Sequence, residues 1–423
     1  MALKPAKSSR LVALLPFVLL VGCVSVGTPS TSPEPIGSTQ PGATSVPPDA
    51  PDTPWEAELE QVAPDGKRSL ESALRLFSMA YGPLPGVDGV PALAQTVEGT
   101  IARRAILGHY DELTAQQQAA VDEWLAPDPD APFVLIGPED ERASPSNALA
   151  LAGPDLFVAA DEENLTPAQQ AIQDAMTDYR FAIEAKIGPI PGPIKLSFPE
   201  EDDPAALADA DGIWVNGAYT GCEIRWFKAG LADAALDILL TAAHETFHCF
   251  QAAAIGSRLP YVLASDWYQE GGAEWVSYDI AGAPQDGGFW GRYVDNPHKP
   301  LFQRTYDGVG FWADLAATGI DPWPRWKAIW AAYSNEPAWV ATGGEADRFL
   351  DSWASGWFRD PARGVDWEMT GPGIPPGSNF PESVSVSNGS SATVQADPYT
   401  NAQYTANSTA DVFVITGSGH ILI

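Results

Sequence analysis

Histidine is scarce in this chain, and so are basic residues, cysteine and long apolar runs. Lysine and arginine number 23 against 55 aspartates and glutamates, a formal net charge of −32. Such a field repels phosphate backbones and excludes nucleic acid as a partner. It favours solubility and leans toward neutral or basic substrates. The apolar run at residues 11–21 is eleven residues long, too short to cross a bilayer as a helix. Three cysteines leave room for at most one disulfide. What the chain has in quantity is apolar mass: 45% hydrophobic residues, 15 of them tryptophan. That is enough for a sizeable buried core, and 423 residues suit two or three domains.

Lys4, Lys7 and Arg10 precede the apolar run, as in an export signal. The run ends in Leu20-Val21-Gly22-Cys23, which resembles a bacterial lipobox. That resemblance implies a signal peptide over 1–22, cleavage before Cys23 and diacylglyceryl on its sulfur. The chain is then expected outside the cytoplasm, lipid-anchored to the bacterial cell membrane. Residues 23–54 are rich in Ser, Thr, Pro and Gly and read as a solvated tether with a reach of roughly 30 Å. Cys222 and Cys249 remain, and an even pair in an exported chain suggests a disulfide. Its loop of about 28 residues would make it worth roughly 3 kcal/mol.

Residues 55–190 read as a mainly helical N-terminal region. Apolar positions at helical period place one helix over 69–81. Thr114 opens a second over 113–125, and Thr166-Pro167 opens a third over 165–187. Residues 194–198 alternate as a strand does. Residues 212–227 read as one or two strands, with turns at Asn216-Gly217 and Thr220-Gly221. Helices are expected over 229–255, 266–280, 306–318, 326–333 and 345–357. This region, 191–362, is followed over 363–423 by a small β-rich region with alternating stretches at 384–387 and 412–415.

His244-Glu245-Thr246-Phe247-His248 lies in an alanine-rich apolar stretch, 236–254. On a helix, residues four apart share a face, so both imidazoles point at one metal ion. Glu245 is then placed to reach a water on that metal as general base. Cys249 follows His248 by one residue, about 100° around the helix, and is discounted as a ligand.

Downstream, Gln269-Glu270-Gly271-Gly272-Ala273 resembles the third-ligand motif of the gluzincin peptidases, the thermolysin and aminopeptidase N group. That motif is an Asn-Glu-Gly-Phe-Ala-like helix after H-E-x-x-H. Here Gln replaces Asn and Gly replaces Phe. Twenty-one residues separate His248 from Glu270, close to the family's spacing. The resemblance implies Glu270 as third ligand to one catalytic Zn²⁺. It also implies that Glu274, one turn later, accepts a hydrogen bond from a ligand histidine. The metzincin pattern needs a third histidine at 254, where alanine stands.

In the aminopeptidase branch a tyrosine donates to the oxyanion from a Tyr-x-x-Gly-like context. Tyr306-Asp307-Gly308-Val309-Gly310 resembles it, with the first Gly one position early. His298 is the alternative donor, in the part that thermolysin gives a histidine. No Gly-Ala-Met-Glu-Asn-like run for a free α-amine occurs. Glu223 is the nearby acid that would replace it, and the strand around it would otherwise offer an edge to an extended peptide. The resemblance spans 214–315, about a quarter of the chain, and is specific at H-E-x-x-H plus Glu270.

Together these features predict an α+β fold. A zincin-like catalytic domain, a small twisted sheet and a helical half around the H-E-x-x-H helix, would carry a β-rich C-terminal appendage. The expected function is a membrane-anchored zinc metallopeptidase acting on peptide or protein substrates. The alternatives are a non-catalytic peptide-binding lipoprotein that keeps such a fold, and a zinc hydrolase of non-peptide amides or esters.

Overall fold

Helix starts in this chain are written in hydroxyl side chains. Thr53, Ser69, Thr114 and Thr166 each accept a hydrogen bond from the backbone N–H three residues on. They open α1 (Pro54–Leu59), α2 (Leu70–Ala80), α4 (Ala115–Leu125) and α5 (Pro167–Ile187). At three of the four, a Glu or Gln returns the bond to the cap's own N–H. Between α2 and α4 lies α3 (Thr100–Gly108), which starts at Gly99 with no such cap. A computed structural model describes residues 53–93, 96–128, 131–137, 165–199, 205–232, 235–282, 288–296, 298–355, 382–386, 399–400 and 404–408. The expected signal peptide, Cys23, all but the last two residues of the tether, the stretch at 412–415 and His420 lie outside the described residues.

Four strands form a mixed sheet in the order β1-β2-β4-β3. They are β1 (Phe133–Ile136), β2 (Ile194–Ser197), β3 (Ala208–Val215) and β4 (Ala218–Trp226). β1 runs antiparallel to β2, β2 parallel to β4, and β4 antiparallel to β3. The β3–β4 hairpin turns on Asn216 and Gly217, both with positive φ, at 51° and 80°. That conformation matches the twist of the strands and explains the Asn-Gly pair. The turn expected at Thr220-Gly221 does not form. Both residues lie inside β4, where Gly221 pairs with Ile213. The close approach of Pro193, whose carbonyl would stand 3.1 Å from a Cβ there, accounts for the glycine.

β3 is an edge strand, yet its outer side is not open along its first half. Residues 97–100 run beside it: Gly99 N donates to Ala208 O at 2.7 Å and Ala210 N to Thr100 Oγ1 at 2.8 Å. Just before the strand, Val97 N donates to Ala205 O and Leu207 N to Val97 O. The strand around Glu223, expected to offer an edge to an extended peptide, is β4 and lies inside the sheet between β2 and β3, while the outer side of β3 is taken by the chain itself.

The long helix α6 (Ala235–Ile255) crosses beneath β3 and β4 and packs on α5 and on α8 (Asp266–Ala281). Lys228–Ala232 precede it as a 3-10 turn, so the helix begins six residues later than the sequence predicts. α7 (Arg258–Val262) joins α6 to α8. α9 (Gly288–Asp295), α10 (Val309–Ala317), α11 (Trp326–Trp330), α12 (Asn335–Thr342) and α13 (Asp347–Ser355) complete the helical half. Its core is tryptophan. Trp267 stacks on Trp312 at 5.6 Å, Trp326 on Trp330 at 5.6 Å, and Phe247 of α6 meets Trp326 at 5.2 Å. Burying such rings is worth roughly 1.5–3 kcal/mol apiece, which anchors the face of α6 that carries Phe247.

Cys222 of β4 and Cys249 of α6 form the expected disulfide, 27 residues apart. It ties the sheet to the helix one residue from His248. β1 pairs with β2 across the boundary expected at 190–191. In the C-terminal region β5 (Glu382–Val386) and β6 (Tyr404–Ser408) pair in parallel, in keeping with the β-rich reading.

Candidate metal centre

α6 presents His244 and His248 one turn apart, their rings 4.7 Å between centroids and both fully buried. α8 runs alongside and brings Glu270 to them. Its Oε2 lies 3.5 Å from His244 Nε2 and 3.3 Å from His248 Nε2. These three donor atoms all lie within 4.8 Å of one another. None of the three has a hydrogen-bond partner. Buried polar atoms are rarely left so, because each unmade bond costs about 1–3 kcal/mol. Donors about 2.0–2.2 Å from one ion stand about 3.3–3.5 Å apart at tetrahedral angles. The trio therefore fits a metal ion.

Each member of the trio is held from behind. His248 Nδ1–H donates to Gln251 Oε1 at 2.7 Å, which leaves Nε2 free to ligate. Gln251 in turn donates to the backbone carbonyl of Gln269 at 2.9 Å, linking α6 to α8. Glu274 Oε2 faces His244 Nδ1 at 3.3 Å, near the part that the gluzincin resemblance implies but without a hydrogen bond to it. Arg104, from α3, donates to Glu270 Oε1 at 2.5 Å and to Ala264 O at 2.6 Å. Glu245 is buried beside the trio; its Oε2 accepts from Thr100 Oγ1 at 2.8 Å, while Oε1 has no partner.

Two glycines set how closely the elements meet. A Cβ at Gly271 would stand 2.7 Å from Thr305 O, so glycine lets the turn Tyr306–Gly308 press against α8. A Cβ at Gly272 would stand 2.7 Å from the Trp326 ring, so the indole fills the volume that a phenylalanine would need. The turn carries Tyr306, whose ring stacks on Phe289 at 4.8 Å and lies 5.8 Å from His244. Its buried hydroxyl has no hydrogen-bond partner.

A cavity of about 220 Å³ opens beside the trio, lined among others by Glu98, Thr241, Glu274, Phe289 and Tyr306. His298 is exposed and does not line it. Glu223 is not at the site either: it pairs with Lys195 at 2.8 Å across β2 and β4. The acid that does reach the trio is Glu98, whose Oε2 is 3.5 Å from His244 Nε2. Cys249 is committed to its disulfide.

The charges are strongly coupled. Burial opposes a charged His244, but Glu98, Glu270, Glu274 and Glu245 outweigh it and hold its pKa well above that of a free histidine. Burial pushes His248 down, against the pull of Glu270. Burial would raise Glu270, yet His248, His244 and Arg104 hold it well below the usual carboxylate range. Glu245 goes the other way: burial raises it well above that range, with Glu98 adding to the rise. A carboxyl whose proton affinity is raised is suited to taking and returning a proton.

Glu98, Thr100 and Arg104 are absent from the sequence reading, because nothing in their local pattern points to a site 145 or more residues away. Gln251 had a signal, three residues after a ligand histidine on the same helix. Comparison with protein-family models, curated proteins and solved structures gives no match, so the geometry alone carries the functional reading.

Proposed function

We propose that this chain is a zinc metallopeptidase with a zincin-like arrangement, in keeping with the gluzincin resemblance. The observation that carries this is the convergence of three unpartnered buried donors, His244 Nε2, His248 Nε2 and Glu270 Oε2, beside the unpartnered Glu245 Oε1. Two imidazoles and one carboxylate are a donor set common to catalytic zinc. A zinc ion held there supplies Lewis acidity and brings the pKa of a bound water toward 7.

The chain's own groups have the following parts. Thr100 fixes one oxygen of Glu245 and leaves the other without a partner. Glu245 accepts a proton at Oε1 and returns it to the departing amine. Glu274 and Gln251 orient the two imidazoles through their Nδ1 atoms. Arg104 donates to Glu270 Oε1 and, after His248 and His244, helps keep the carboxylate ionised. Tyr306 has a free hydroxyl facing the site and is placed to donate to an oxyanion, ahead of exposed His298. The lipobox-like Cys23 and the tether would put this activity outside the cell, at the membrane.

The test is metal content and peptide-cleavage profiling of the purified protein. The wild type should hold one zinc per chain and cut peptides. Glu245→Gln should keep the zinc and lose cleavage by roughly 10²- to 10⁴-fold, the usual worth of a general base. Cleavage at the wild-type rate by Glu245→Gln would sink the assignment.

A further inference from the structure

Glu98 stands at the site without a role in the mechanism above. Its Oε2 keeps the same 3.5 Å from His244 Nε2 that Glu270 Oε2 keeps. With His244 and Glu245 it forms a second donor group, within 4.8 Å, that shares His244 with the first. The side chain is four-fifths buried and pairs with His244. No lysine or arginine lines the cavity it faces. Its backbone is pinned on both sides, by Val97 N to Ala205 O at 2.8 Å and by Gly99 N to Ala208 O at 2.7 Å. The carboxylate is thus delivered to the site by the sheet edge.

Charge decides what Glu98 would do there. Arg104 already neutralises Glu270 at 2.5 Å. A divalent cation on the trio would then draw its remaining compensation from the carboxylates around His244, with Glu274 at its Nδ1. The carboxylates grouped with His244 on the other side are Glu245 and Glu98. Glu245 is held by Thr100. Glu98 faces Tyr306 and His244 across the cavity and is the one placed to turn toward the cation.

We propose that Glu98 is a fourth protein donor of the metal site, so that the resting site is closed by His244, His248, Glu270 and Glu98. This rests on the zinc reading above and deepens it: the chain carries its own occupant of the position a substrate carbonyl or water needs. The occupant comes from the stretch that also covers the outer side of β3, so one segment blocks both the metal and the neighbouring sheet edge. The site opens when Glu98 lets go.

The experiment uses the full chain loaded with Co²⁺ or Zn²⁺, with azide as the probe of an open position. Wild type and Glu98→Gln, with Glu98→Ala as the second variant, are first matched by circular dichroism. The visible bands of the wild-type cobalt protein should not move with azide, whereas both variants should show shifted bands that saturate. Zinc affinity by chelator competition should fall about 10-fold or more in both variants. If azide moves the wild-type bands as it moves those of the variants, and zinc affinity is unchanged, Glu98 is not a ligand and the inference falls while the peptidase reading stands. If the wild type takes up neither metal, the peptidase reading falls and takes the inference with it.

Discussion

Thr100 Oγ1 donates to Glu245 Oε2 at 2.8 Å across 145 residues of sequence, and accepts from Ala210 N at 2.8 Å. The proposed base is therefore positioned by the sheet edge through one hydroxyl. Replacing Thr100 with valine keeps the shape and removes both bonds. Turnover should drop roughly 10-fold or more, a fraction of what a general base supplies, with KM and zinc content unchanged. Thr100→Ser should restore most of it. A valine variant with wild-type kcat would show that Glu245 needs no such support.

Arg104 touches two buried acids, Glu270 at 2.5 Å and Asp266 at 3.5 Å. Arg104→Met leaves both without that cation. Stability should fall by about 3–5 kcal/mol, and zinc affinity by about 10- to 100-fold. Thermal unfolding with and without added zinc separates the two effects: the loss of affinity should appear as a smaller zinc-induced rise in Tm.

The disulfide between Cys222 and Cys249 lies next to His248 but contributes no donor to the candidate metal trio. Replacing both cysteines with alanine should cost about 3 kcal/mol, measured by denaturant unfolding. Zinc should remain at one per chain. Loss of the metal from a variant that is still folded would overturn the separation of the two roles.

Asp314 is buried in the helical half, with one oxygen bonded to Ser352 at 3.1 Å and the other to nothing. Burial raises its pKa from 3.8 to about 7. The folded chain thus keeps a proton that the unfolded chain releases. Stability from this group is fully present below pH 3.8 and is lost as pH rises through about 7. The full difference is on the order of 4 kcal/mol at alkaline pH. Asp314→Asn should remove that slope and raise Tm at pH 8. An unchanged Tm at pH 8 would show that Asp314 stays charged at little cost.

The parts of the fold legible in the sequence are those whose cause is local. Thr114 and Thr166 announce their helices, Asn216-Gly217 its hairpin, and two histidines four apart their shared face. Glu270 and Glu274 were legible as well, because spacing along α8 and a family resemblance both point to them. What stayed hidden depends on partners remote in sequence. β1 is four residues long and makes sense only against β2, whose partners lie 58 to 64 positions away in sequence. α3 has no side-chain cap, and its value lies in reaching Glu245 and Glu270. Thr220-Gly221 looked like a turn because glycine was read as a bend, when it is there to let Pro193 come close.

Thr100 and Arg104 sit one turn apart on the nine residues of α3. One grips the carboxylate that would move the proton, the other the carboxylate that would hold the ion. Neither grip can slacken alone. A rotation of this short rod would therefore shift the base and the third donor in a single motion.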